Sequence, residues 1–435
     1  MVELVYKFIR GRIVGIPNLE LTPEDAANIG GALGSWFKPG SVAITGRDYY
    51  ASSRMIKRAL TSGLMSAGVE VLDLHASTIG EISFSMKRFG ARGGVSITYY
   101  PVHKDHVQVR VFSSPGVELV GDELLNVVKG GCRRVKPREV GWLSYAEYIH
   151  QIYVSALIAF INADLVGSRR FNIAISTSHG PSDLILPELL SQLHVDVIVL
   201  NSSRSVPQGY EYPLIEEVNK VSEVTQAAGL DFGAVISNDG SSISIVDGSG
   251  RVLLTEEVAA ALKPLIQVNS SIITSSDVFN TIEEELSDLG VSIRRTGILE
   301  GAVLKESSKV RPFIGFTSVG EFVHPLFSLG YDAILTLLRI MESLATSDKK
   351  LSELINKYSV KGYLEYIIGD NVINVKNSIC MEEAYCRSMI GGYRLRIDNV
   401  NVALLHDALS SGTRVIVEKI QGCEEVVRKI KSLLK

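Results

Sequence analysis

Cysteine is scarce. Cys132, Cys380, Cys386 and Cys423 are the only four in 435 residues, and no C-x-x-C spacing occurs among them. That argues against a zinc site or a disulfide framework and fits buried free thiols in a reducing compartment; pairing of Cys380 with Cys386 stays open. Basic charge is not in excess. The 44 Lys and Arg face 48 Asp and Glu, and a net charge of -4 leaves no large nucleic-acid footprint. No charged segment followed by an apolar one opens the chain at Met1, so no export signal is expected. Nor is there an unbroken membrane span. The most apolar helical stretch, 148–166, is interrupted by His150, Gln151, Ser155 and Asn162 and reads as a packed helix. No segment is of low complexity. A cytoplasmic protein that uses neither membrane nor nucleic acid is expected.

What is present is an ordinary globular balance, 46% hydrophobic and 21% charged residues. The length is too great for one core, so roughly two to four domains are expected. Thr22-Pro23-Glu24 is a helix start, with Thr as N-cap, Pro in the first turn and an acid near the positive end of the dipole. Ala26, Ala27, Ile29 and Leu33 follow at helical spacing. A strand over 41–45 leads through Gly46-Arg47-Asp48 into a helix over 55–64 and a strand over 68–74. This β-α-β-α rhythm implies a mostly parallel sheet with helices on both faces. It returns as helix 145–166, strand 172–176, helix 183–193 and strand 195–200. It returns again as helix 256–268, strand 271–274, helix 278–290 and strand 292–296. The last segment reads as a smaller unit with strands over 393–397, 400–405 and 414–420 and a helix over 424–434.

Residues 93–109 read GGVSITYYPVHKDHVQV: a buried strand, a sharp turn at Tyr99-Tyr100-Pro101, and a second strand in which Val107 and Val109 alternate with polar residues. A strand ending in an irregular loop is a usual address for an active site. The string resembles the phosphoserine loop of the alpha-D-phosphohexomutases, the phosphomannomutase/phosphoglucomutase family, whose usual form is G-(V/I)-x-I-T-A-S-H-N-P. Gly94, Val95, Ile97, Thr98 and Pro101 match; the phosphate-bearing Ser does not. Ile9-Arg10-Gly11, Leu21-Thr22-Pro23, Gly46-Arg47-Asp48 and Gly68-Val69 match further family segments in order. The resemblance runs the whole length. It implies an α/β fold of three related α/β domains with mixed sheets and a smaller C-terminal α+β domain around a central cleft. The boundaries expected are 1–145, 146–250, 251–355 and 356–435.

The loops depart from the family pattern. The magnesium loop D-x-D-x-D-R reads Ser237-Asn238-Asp239-Gly240-Ser241-Ser242 here, between strands over 232–236 and 243–246. Asp239 alone keeps a carboxylate, too little charge to hold magnesium tightly without a phosphoryl group. A plain Asn-Asp-Gly turn is the competing reading. The sugar loop G-E-x-S-G-H survives as Gly320-Glu321-Phe322-Val323-His324, so Glu321 and His324 are substrate-binding candidates; alternatively Glu321 caps a helix and His324 is a packed side chain. The phosphate loop R-x-S-G-T-E-P leaves Ser411, Gly412, Thr413 and Arg414, a cradle or an ordinary turn. Arg10 and Arg47 join the substrate-binding candidates through the resemblance. In Thr296-Gly297-Ile298-Leu299-Glu300, Leu299 stands where the family has Gly.

Replacement nucleophiles near the first turn are Thr98, Tyr99, Tyr100 and His103. A tyrosine would place its oxygen several Å further out than Ser, and phosphoryl transfer depends on positioning. His103 and His106 face opposite sides of the expected hairpin, which disfavours shared ligation. The reading preferred from sequence is a phosphohexomutase-like protein that has lost phosphoserine/magnesium catalysis and keeps hexose-phosphate binding or a regulatory role. An active mutase with a rebuilt centre, an intramolecular phosphotransferase, is one alternative. A partner subunit of a true mutase, or a homo-oligomer, is the other. No cofactor is expected, with magnesium the ion to test.

Overall fold

The computed structural model describes residues 6–100, 105–202, 215–355, 363–380, 385–389, 391–407 and 412–433. The first sheet has eight strands. They are β1 (Lys7–Ile9), β2 (Arg12–Gly15), β3 (Val42–Arg47), β4 (Glu70–Ala76), β5 (Gly93–Tyr99), β6 (Val107–Ser113), β7 (Val117–Leu119) and β8 (Leu143–Tyr145). Their order is β1-β2-β6-β5-β3-β4-β8, with β7 on β6. The strands β5, β3, β4 and β8 run parallel, and β6 turns back antiparallel on β5. Helix α1 (Pro23–Phe37) starts where the sequence placed it. Thr22 and Asp25 form a capping box, and Ala26, Ile29 and Leu33 are buried. Helices α2 (Ala51–Ser66) and α3 (Ile79–Phe89) follow β3 and β4.

The next two sheets are topological twins. One holds β9 (Asn172–Ser176), β10 (Asp196–Leu200), β11 (Phe232–Ile236) and β12 (Ile243–Asp247) in the order β10-β9-β11-β12. The other holds β13 (Ser271–Ser275), β14 (Ser292–Thr296), β15 (Ile314–Phe316) and β16 (Phe322–Val323) in the order β14-β13-β15-β16. Each has three parallel strands and an antiparallel fourth. Their apolar faces merge into one continuous core running from Tyr153 to Ile355. The last sheet is antiparallel throughout: β17 (Tyr363–Ile368), β18 (Tyr385–Met389), β19 (Gly392–Ile397), β20 (Val400–Asp407) and β21 (Gly412–Glu418), ordered β17-β21-β20-β19-β18.

Three helices expected from sequence are shorter than periodicity suggests. The stretch 145–166 splits into Ile149–Phe160 and Ala163–Arg169, bent by 87°, because the Asn162 side chain accepts from Leu165 N and starts a new helix. No single helix among the described residues is long and apolar enough to cross a membrane. The helix Thr255–Ala261 gives way to a 3-10 turn at Lys263–Leu265, where Pro264 removes a donor. Residues 278–290 hold only the helix Thr281–Glu285 and a 3-10 turn, Ser287–Leu289. The expectation of free thiols is also corrected: Cys380 and Cys386 are bridged, while Cys132 and Cys423 are free. The helix Val372–Cys380 ends 6.2 Å in Cα–Cα distance from Cys386 on β18, inside bridging range.

Loops from the sheets meet at one place. The loop joining β11 to β12 is clasped from both sides: Asp239 O accepts from Ile79 N at the start of α3, and Gly240 O accepts from Ala333 N. Ile243 N donates to Gly320 O, and Ser242 bridges Glu321. Gly240 is required here. Its φ is +72°, and a Cβ would stand 2.7 Å from Thr78 Cβ.

Candidate functional site

A cavity of about 80 Å³ lies where these loops converge, room for several waters. Its walls come from all four sheets: Arg10, Arg12, Tyr99, Tyr100, Gln108 and Arg110 from the first, the Ser237–Ser242 loop from the second, Glu300 and Glu321 from the third, and Arg387 from the fourth. The β1–β2 hairpin turns through Arg10 and Gly11, both at positive φ, and so delivers two arginines to the cavity. On β6, Gln108 and Arg110 alternate with valines. The period of two aims both inward, and burial on both faces of the strand leaves neither in solvent.

The arginines and carboxylates interlock. Glu118 accepts bidentate pairs from Arg12 at 2.7 and 2.9 Å and from Arg110 at 3.0 and 2.8 Å. Arg110 Nη1 donates to Asp239 Oδ2 at 2.8 Å. Arg12 and Arg387 each reach Glu300 at 3.3 Å, and both approach Glu321, at 3.8 and 3.9 Å. Arg10 donates to Cys386 O at 3.1 Å. Burial pushes the Asp239 carboxyl up, but Arg110 and hydrogen bonds from Ser241 and Ser237 hold it below its usual value. Glu118 is lowered in the same way, by Arg110 and Arg12 against burial. Glu300 and Glu321 divide. Four arginines outweigh burial at Glu300 and lower it, whereas burial and the neighbouring Glu300 raise Glu321. So Glu321 is the carboxylate in the cluster that takes up a proton first.

Asp239 is therefore already committed. Both oxygens are used, one by a guanidinium and the other by Ser237 Oγ, Ser241 N and Ser241 Oγ. Among the described residues no group of three His, Cys, Asp or Glu side chains could hold a metal ion. This donor set does not fit magnesium, which needs negative oxygen ligands in near-octahedral geometry with no cation among them.

The other sequence candidates fall as follows. Tyr99 and Tyr100 line the cavity, and Tyr50 stacks on Tyr99 with ring centroids 4.8 Å apart. Burial raises the Tyr100 phenol and keeps it protonated, which suits a wall better than a nucleophile. Thr98 is buried behind the wall, accepting from Gln108 Nε2 at 3.1 Å. His103 and Ser411 lie outside the described residues. Five substrate-binding candidates do not line this cavity. His324 is packed against the helix Ala333–Ser347, its Nε2 3.0 Å from Thr336 Oγ1, and burial lowers it to about 3. Gly412, Thr413 and Arg414 open β21 rather than a phosphate cradle. Thr413 donates to Asp370 O, and Arg414 pairs with Glu365 at 2.8 Å and donates to Val252 O. Arg47 lines a separate groove beside α2. Arg10, Glu321 and Asp239 do line the cavity.

Sequence reasoning missed Arg12, Gln108, Arg110, Glu118, Glu300 and Arg387. A signal existed: single charged or polar residues inside short apolar strands, as in VQVRVF, VEL and YCRSM, alternate onto one buried face.

A four-domain mixed α/β molecule with its polar residues gathered where the domains meet defines a class, and the comparisons agree on which. Residues 9–129 match the family model described as phosphoglucomutase/phosphomannomutase, alpha/beta/alpha domain I. A phosphoglucomutase/phosphomannomutase of Thermococcus kodakarensis is 28% identical over 79% of this chain and 78% of its own length. A phosphoglucosamine/phosphogalactosamine mutase of Sulfurisphaera tokodaii is 22% identical over 85% of this chain and 83% of its own. The crystal structure of a putative phosphomannomutase from Thermus thermophilus superposes with a TM-score of 0.78 at 16% identity, covering 99% of this chain and all of that one. These matches support membership of the alpha-D-phosphohexomutase family.

Proposed function

We propose that this member binds a hexose phosphate in the central cleft without carrying out phosphoserine/magnesium mutase chemistry. One observation carries the reading: Arg110 occupies Asp239, the last carboxylate of the metal loop, at 2.8 Å. A guanidinium there supplies fixed positive charge where the family uses a divalent ion, but it cannot take a phosphoryl oxygen into its coordination shell. The residues around it still suit a polyhydroxylated anion. Arg10 keeps part of its guanidinium accessible, with 27% side-chain exposure, and can meet a phosphate. Gln108 and Asn238 line the cavity, and among the described residues Gln108 Oε1 and both amide atoms of Asn238 have no hydrogen-bond partner, which suits them to sugar hydroxyls. Loss of the nucleophile and the metal site together removes a unit whose parts do not act singly. The relatives are named as mutases, and that favours a second reading, an active mutase with a rebuilt centre.

Thermal melting with mannose, glucose and glucosamine phosphates separates the two. Binding to the native state alone raises the melting temperature. The expected result is a rise with at least one hexose phosphate that is the same in magnesium and in EDTA. A rise that needs magnesium and disappears in Asp239→Ala would favour the second reading.

A further inference from the structure

The groove that contains Arg47 is distinct from the cleft and is built from one loop and one helix. Arg47, Tyr49, Ala51, Arg54, Met55 and Arg58 line a space of about 480 Å³, within the range of small-molecule sites. Three of these six side chains are guanidinium groups and none is a carboxylate. Arg54 and Arg58 are exposed and lie one turn apart on α2, where like charges repel. Arg47, half-buried at the end of β3, is lowered by burial and then by Arg54, so its guanidinium stands within reach of like charge.

The two acids whose charge reaches Arg47, Asp48 and Asp73, already hold other partners. Asp48 is fully buried and accepts from Tyr99 N and Tyr50 N on the β5 side. Asp73 is paired with Lys57 and accepts from His75 N. Arg47 Nη1 donates to the Asp48 carbonyl at 2.5 Å. The first turn of α2 opens onto the same groove. Its own residues include no acid, while the buried Asp48 carboxylate at its start accepts from Tyr50 N and the Ser53 hydroxyl. Tyr49 fixes the floor by donating to Asp183 from the neighbouring unit.

We propose that this groove is a second anion site, for a small metabolite carrying a diphosphate group. Three forks around one space ask for several negative oxygens at once. Guanidinium groups match phosphate oxygens bidentately, and a diphosphate offers two such groups within the span of one helical turn. The site is independent of whether the cleft retains catalysis.

The test is calorimetric titration of the full chain with inorganic pyrophosphate at two salt concentrations. Saturable binding that weakens about tenfold or more in Arg54→Gln/Arg58→Gln is expected. The control Arg88→Gln/Arg92→Gln removes two exposed charges elsewhere and should leave binding within about twofold. Because Arg54 and Arg58 are exposed, the groove variant should melt as the wild type does without ligand. Four outcomes overturn the proposal: no saturable binding, equal loss in the control variant, sulfate binding as tightly as pyrophosphate, or a single-stranded RNA, and not pyrophosphate, binding through Arg54 and Arg58.

Discussion

Arg110 is the residue on which the cleft turns. It holds two buried carboxylates together, Asp239 and Glu118, the second of which it shares with Arg12. Removing one member of a buried pair strands the other. Arg110→Met should cost roughly 3–5 kcal/mol in urea unfolding. A loss below about 1 kcal/mol would mean the network contributes little. Glu321 gives the pH signature. Its carboxyl is raised in the folded chain, so its protonated form favours folding. That contribution is complete below the unfolded value near 4.5 and is lost as pH rises to the folded one. Glu321→Gln should therefore match wild type in acid and exceed it in stability above neutral pH. Equal melting curves at all pH values would contradict this. The sequence made Asp239 visible, because a lone carboxylate in a degraded metal loop stands out. Its partner was hidden. Arg110 is 129 residues away, and only the pairing of sheets brings the two together.

Elements explain where reading by pattern succeeds. The capping box at Thr22 is local chemistry, written in four residues, and α1 begins there. The break at Asn162 is equally local, but an apolar period continues across it and conceals the cap. The loop between β11 and β12 depends on Gly240. Gly240→Ala forces a side chain into a left-handed position against Thr78, and a cost of about 1–3 kcal/mol is expected, read from the unfolding midpoint. On β18 the bridge from Cys386 to Cys380 adjoins Arg387, which enters the cleft, and Arg10 donates to the Cys386 carbonyl. Reduction with a dithiol releases a loop of sequence separation 6, a loss of about 2 kcal/mol in the chain-entropy account. Cys380→Ser/Cys386→Ser should not respond to the reductant; a protein that unfolds alike in both redox states would show that the bridge does no such work. Spacing alone kept this pair open, and weighing compartment above geometry led to the wrong expectation.

Across the whole molecule, the order of α/β units was readable because each strand–helix rhythm is short-range. The cleft was less so, since its walls are drawn from four sheets and its charge balance belongs to no single motif. The scaffold is the one shared with solved phosphomannomutase-family structures, and a guanidinium from the first sheet pairs with Asp239 in the loop between β11 and β12. The most direct test follows glucose 1-phosphate by phosphorus NMR with purified protein, magnesium and glucose 1,6-bisphosphate. The expected result is a 1-phosphate signal that shifts or broadens on binding while no 6-phosphate accumulates. Steady formation of glucose 6-phosphate, abolished by Asp239→Ala, would contradict it.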